Sequence, residues 1–143
     1  MFLDASVVVA LLAGEAEELA IHTAIAEAEM AVTSPIAMFE ASTRLSRLLR
    51  VSFVEAYDGV LAFHSAMNIR VVDVSAEIGR EAHVCAARYH HLNGHPAKLN
   101  MGDCFAYAAA RTLKLQLAYK GNDFLHTDID GLRFGPDQPG ALA

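Results

Sequence analysis

Met1-Phe2-Leu3-Asp4-Ala5-Ser6-Val7-Val8-Val9 sets a short apolar strand, an acid and the start of a helix side by side, and the organisation of the chain follows from it. The residues up to Asp4 make a run of strand length. Asp4 is of the type that caps a helix beginning at Ala5 or Ser6. Working outward, similar apolar runs recur near Ala31 to Thr33, Arg70 to Val72, Leu115 to Tyr119 and Leu132 to Phe134. Longer helical patterns separate them. That alternation is the signature of βαβ units, so the expected class is α/β, a parallel sheet with helices on its faces.

The helical segments carry their own start signals. Glu15 to Glu29 is rich in alanine and glutamate, with Leu19, Ile21 and Ile25 at helical spacing. Thr33-Ser34-Pro35 supplies a cap followed by proline at the first helical position, and the helix should run through Glu40 to about Leu49. Ser52-Phe53-Val54-Glu55 reads as a capping box. Ser75-Ala76-Glu77 opens a helix to about Tyr89. His91 to Pro96 breaks the pattern with glycine and proline, and Asn100-Met101-Gly102 leads into an alanine-rich helix from about Asp103 to Leu113.

With 143 residues and 54% hydrophobic content the chain fits one globular domain. Phe134-Gly135-Pro136-Asp137-Gln138-Pro139-Gly140 cannot continue regular structure, so residues 1–134 are expected to form that domain and 135–143 a flexible tail. The apolar opening lacks the basic region of a secretory signal, and Glu15, Glu17 and Glu18 end it well short of the roughly 18 residues that span a bilayer. A soluble, cytoplasmic protein with no membrane partner is expected. Cys85 and Cys104 lack metal-ligand spacing and read as buried reduced thiols. The formal net charge of −6 argues against a broad basic field for nucleic acid, but not against a local site built of acids that await cations.

Four acids stand out. Each has a local explanation: Asp4 as a helix cap, Glu40 as the i,i+4 partner of Arg44, Asp103 in a first helical turn, Asp123 in an Asn-Asp turn. None of these explains why Asp4 and Asp123 follow strands while Asp103 opens a helix. In a parallel sheet those positions share one edge, where ligands bind. Two unit charges about 4 Å apart repel by roughly 4 kcal/mol at an effective dielectric of 20. Mg²⁺ or Mn²⁺ is the natural compensation, because an all-oxygen donor set suits hard cations and zinc prefers histidine or cysteine. Such a site hydrolyses phosphodiesters by activating water and stabilising the leaving oxygen.

The segments Phe2-Leu3-Asp4-Ala5-Ser6, Ser34-Pro35 through Phe39-Glu40, Leu99 through Ala108, and Tyr119-Lys120-Gly121-Asn122-Asp123-Phe124 with Thr127-Asp128 are similar to the PIN-domain ribonucleases. The resemblance is to the VapC toxins of VapBC toxin–antitoxin pairs in particular. It implies a three-layer α/β/α fold around a parallel sheet of about five strands, with residues 1–134 as a single PIN domain. It implies an endoribonuclease using Mg²⁺ or Mn²⁺ and neutralised by a cognate VapB-type antitoxin. By position, Asp4, Glu40, Asp103 and Asp123 match the family's acidic quartet, and Ser6 its small hydroxyl residue. Asn122 and Asp128 are supporting candidates. Asp4 and Asp103 are expected to hold the main ion most directly.

Other features have plainer readings. His83, His90, His91 and His95 lack a His-Glu-x-x-His arrangement and read as solvated. Arg44, Arg47 and Arg50 form a drifting basic stripe on the helix of Glu40, either a solvated face or a track for RNA. The apolar excess from Leu45 to Phe63 suits a helical hairpin that binds an antitoxin or a second copy of the chain. A catalytically weak partner-docking or RNA-binding module on the same fold is the alternative function, disfavoured by retention of all four acids. Aspartyl phosphoryl transfer is disfavoured because position 6 is Ser6, and dinucleotide binding because no Gly-x-Gly-x-x-Gly follows the first strand.

Overall fold

A computed structural model describes residues 1–136; the remainder of the expected tail, 137–143, lies outside the described residues. The first strand, β1 (Phe2–Leu3), passes at once through Asp4 into α1 (Ala5–Leu12). The chain continues through α2 (Glu18–Glu27), β2 (Val32–Thr33), α3 (Pro35–Leu49), α4 (Phe53–Ala66), β3 (Arg70–Val71) and α5 (Ala76–Tyr89). A short 3₁₀ turn (His91–Asn93) then leads to α6 (Met101–Thr112), β4 (Leu117–Lys120) and β5 (Gly131–Phe134). No described helix is long and apolar enough to cross a membrane.

All five strands are parallel, in the order β3-β2-β1-β4-β5. Phe2 lies in register with both Val32 and Leu117, and Leu3 with Ala118. Because side chains alternate across a strand, these neighbours face opposite sides. Phe2, Val32, Leu117 and Tyr119 pack with Ile78, Cys85 and Tyr107 beneath α5 and α6. Leu3 and Ala118 pack with Val7, Ile21, Leu45 and Val60 beneath α1 to α4. The result is the three-layer α/β/α arrangement expected of the sequence. Strand order reverses between β1 and β4, so the crevice at their carboxyl ends is the place where open α/β sheets bind ligands.

The expected caps form. Ser34, Ser52 and Ser75 accept from the amides of Ala37, Glu55 and Ile78, and Ser52 with Glu55 completes the capping box. Several boundaries differ from the sequence reading: α2 is shorter at both ends than the expected Glu15 to Glu29, and two other shifts have a local cause. Helix α6 starts at Met101, because Asn100 is its cap and pairs reciprocally with Asp103. Strand β4 starts at Leu117 rather than Leu115: Lys114 adopts φ 57° and the Leu115 amide closes back onto Ala110, extending the helix end into the expected strand.

Asp128 fastens the second layer. It accepts from the hydroxyls of Tyr89 and Tyr107 and pairs with Arg111 at 3.0 Å and Arg88 at 3.3 Å, tying α5 and α6 to the loop before β5. The Tyr107 hydroxyl first, then Arg111 and Tyr89, hold its carboxyl well below the usual carboxylate range. With side chains 40–52% exposed, the two ion pairs are screened by solvent. The tyrosine hydroxyls are the larger stake, since a buried donor that loses its acceptor keeps its desolvation penalty. Asp128→Ala should therefore lower stability by about 1–3 kcal/mol, against less than about 1 kcal/mol for Arg88→Ala. Paired urea titrations check this, and equal losses would assign the effect to the ion pairs.

Candidate active site

Asp4 reaches the sheet edge because β1 is only two residues long and the helix after it must be capped. Its Oδ2 accepts from the Ser6 amide at 3.1 Å and from Ser6 Oγ at 2.5 Å. Ser6 Oγ in turn accepts from the Lys120 amide at 2.9 Å, and the Asp4 amide donates to the Ala118 carbonyl. The exits of β1 and β4 are thus stitched together through one serine hydroxyl. Asp4 is 7% exposed.

Asp103 approaches from the first turn of α6, where the capping box directs its Oδ2 to the Asn100 amide at 3.1 Å. It too is 7% exposed. Glu40, half-buried in α3, lies against Gly102: a Cβ built on that glycine would fall 1.3 Å from Glu40 Oε1. Only glycine leaves room there for the carboxylate. Asp123 stands exposed in the turn after β4.

The electrostatics show that the four acids share one field. Burial first raises the Asp4 carboxyl, the Ser6 bonds and Arg44 lower it, and Asp123 raises it again. Glu40 is pushed up to about 7 by burial, then by Asp4, with Arg44 opposing and Asp123 adding. Asp103 is pushed up to about 7 by burial, opposed by its bond to Asn100, and further by Asp4, Asp123 and Glu40. Lys120, the cation nearest in sequence to Asp123, is engaged elsewhere: it pairs with Glu15 and, at 2.8 Å, with Glu17.

Among the described residues, no three Asp, Glu, His or Cys side chains already stand in position to hold a metal ion. Asp4 and Asp103 each direct one oxygen into a local cap instead. Their hydrogen bonds fall on Oδ2, and none described goes to either Oδ1. The donor set is all carboxylate, with Asp4 and Asp103 buried, which fits Mg²⁺ or Mn²⁺ better than zinc.

Of the supporting candidates, Ser6 sits within the site. Asn122 gives its side-chain oxygen to Arg133 Nη2 at 2.9 Å. Asp128 belongs to the tyrosine network described above, where Tyr89, Tyr107, Arg88 and Arg111 hold it. The histidines serve local turns: His90 and His95 accept from the Leu92 and Ala97 amides, and His83 contacts the Gly79 carbonyl. Both cysteines are free and buried. Two contributions escaped the sequence reading. The sequence presents Gly102 only as part of the lead into α6, and Arg44 as a partner of Glu40 or a member of a basic stripe; the room that Gly102 leaves for Glu40 and the action of the Arg44 charge on Asp4 come from the structure.

The PIN domain family model matches residues 1–130. A VapC ribonuclease of Rhizobium meliloti (strain 1021) is 41% identical over 140 residues, spanning 90% of this chain and 98% of the relative. Among solved structures, Mycobacterium tuberculosis VapC20, described as a Sarcin-Ricin loop cleaving toxin, superposes with a TM-score of 0.72 at 21% identity, covering 92% of this chain and 98% of that one. VapBC2 from Rickettsia felis, bound to a DNA fragment from its promoter, gives 0.67 at 14% identity, with 95% and 98% covered. These structural likenesses carry the fold; the family model and the 41% identity carry the membership. The chain belongs to the PIN-domain family, among the VapC ribonucleases.

Proposed function

We propose that this chain is the toxin of a toxin–antitoxin pair, an endoribonuclease that hydrolyses RNA phosphodiester bonds at Asp4, Glu40, Asp103 and Asp123 with Mg²⁺ or Mn²⁺. The observation that carries the reading is the mutual field of four acids drawn from four separate segments, three of them raised by burial. A fold that gathers like charges and commits the nearby lysine to other acids is built to receive a cation. A bound divalent ion would neutralise the acids and supply charge stabilisation to the phosphodiester transition state.

The chain's own groups do the positioning. Asp4 and Asp103, with their Oδ1 atoms uncommitted, are the direct ligands; Ser6 fixes the Asp4 rotamer and Asn100 that of Asp103. Glu40 and Asp123 act through water or on a second ion. The antitoxin is proposed to cover the groove between α3 and α4, about 620 Å³ in volume, walled by Met38, Phe39, Phe53, Val54, Tyr57 and Leu61. Phe39 is 67% and Val54 68% exposed there, more apolar surface than a free face carries without purpose. The same face suits a homodimer or a larger toxin–antitoxin assembly.

Cleavage of a mixed RNA by partner-free protein, with Mg²⁺ or Mn²⁺ titrated in, tests the reading. Asp4→Asn and Asp103→Asn should each lose about 10²-fold or more in kcat. Wild-type cleavage in excess chelator would remove the metal from the mechanism. Gly102→Ala separates geometry from folding. The atom it meets is the far end of a flexible side chain, so Glu40 can swing aside at little cost in stability. A carboxylate displaced by about 1 Å can cost about 10²-fold in rate. Melting within a few degrees of wild type, with cleavage down about 10-fold or more, is the expected pair of results.

Stability without metal carries the same signature. Glu40 and Asp103 titrate near 7 in the folded chain, above their unfolded values near 4. Their contribution to stability is therefore complete below about pH 4 and is lost as pH rises through about 7. In chelator, wild type should lose stability from pH 5 to 8 relative to Asp103→Asn, by about 1–3 kcal/mol at the upper end. Added Mg²⁺ or Mn²⁺ at pH 8 should reverse the order. Parallel pH profiles of the two proteins would refute mutual repulsion.

A further inference from the structure

Helix α3 presents more than Glu40 to the site. At about 100° and 1.5 Å per residue, Arg44 and Arg47 lie within about 60° of arc of Glu40, about 6 and 10 Å further along the axis. Both are exposed, and among the described residues neither makes an ion pair or a side-chain hydrogen bond. Arg50 leaves this line, because it ends the helix in the left-handed region at φ 54°. The stripe read from the sequence therefore shortens to two guanidinium groups in line with a site acid.

Several other cations are engaged elsewhere. Lys120 holds Glu15 and Glu17, Arg88 and Arg111 hold Asp128, and Arg133 donates to Gly121, Asn122 and Pro136. A chain of net charge −6 that must bring a polyanion against four carboxylates needs local positive charge at that point. Guanidinium groups suit the task, since their planar fork pairs with phosphate oxygens in bidentate fashion. We propose, building on the nuclease reading above, that Arg44 and Arg47 form a phosphate track that holds a single-stranded RNA substrate on the α3 side of the scissile bond. Arg44 takes the phosphate next to the acids and Arg47 the one beyond it. Neither contact reads a base, so the track contributes affinity and register rather than sequence choice.

The test uses a fluorescein-labelled, mixed-sequence single-stranded RNA and the full chain freed of partner. Arg44→Gln/Arg47→Gln should raise KM about 10-fold or more with a smaller change in kcat and an unchanged melting temperature. The slope of log(kcat/KM) against log salt should flatten by about 0.7 for each lost phosphate contact. Arg44→Lys/Arg47→Lys should restore the slope, and Arg80→Gln on α5 should leave it alone. Unchanged KM and slope in the glutamine pair overturn the track, as does loss of antitoxin binding with cleavage intact, which would give the surface to the protein partner. If wild type leaves the RNA uncut, the nuclease reading fails separately. Fluorescence anisotropy of the same RNA on Asp103→Asn, with and without the two glutamines, then decides the track: weaker, less salt-sensitive binding supports it and equal binding overturns it.

Discussion

Four carboxylates that repel one another are held at one edge of a sheet whose strands are two to four residues long, and the rest of the molecule is arranged around that constraint. Short strands offer few ladder hydrogen bonds, so the sheet cannot hold the acids by itself. Stability comes from the two apolar layers: Phe2 and Leu117 are fully buried on one side, Leu3 and Val7 on the other. Each fully buried side chain of this size contributes about 1.5–3 kcal/mol relative to exposure. That is the scale needed against several unfavourable charge contacts of a few kcal/mol each.

The acids are aimed by hydrogen bonds that also serve the backbone. Asp4 is at once the cap of α1 and a site acid, and Asp103 is at once the partner in the α6 capping box and a site acid. Helix starts favour negative charge through the macrodipole, which offsets part of the repulsion before any cation arrives. The local explanations of these residues and the functional one are therefore compatible. One oxygen of each carboxylate, Oδ2, serves the fold, and no described hydrogen bond engages the other.

Much of this was legible in the chain. Strand-length apolar runs separated by capped helical patterns specify a parallel α/β layer structure, because 3.6-residue and 2-residue periodicities cannot be exchanged without exposing the apolar face. Ser34, Ser52 and Ser75 announce their helices through bonds spanning three residues, which sequence spacing reports directly. Asp4, Asp103 and Asp123 were legible as strand-end and helix-start positions on a common edge, whereas Glu40, inside α3, joined them only through the family resemblance. The start of β4 was not: Lys114 takes a left-handed conformation without being glycine, so the helix end that delays the strand leaves no mark in residue type.

Other decisions belonged to tertiary packing alone. Gly102 matters because Glu40, 62 positions earlier, lies against it when α3 meets α6. Asp128 looked like a companion of Asp123 in sequence, yet the β4–β5 loop carries it to Tyr89, Tyr107 and two arginines instead. Lys120 is drawn away from the acids by Glu15 and Glu17, and Arg44 is left to act on both Asp4 and Glu40. Periodicity and capping are short-range, so the chain's order of residues settles which elements form and which acids end them. Which charge meets which depends on contacts between segments far apart in sequence, and those exist only once the layers have packed.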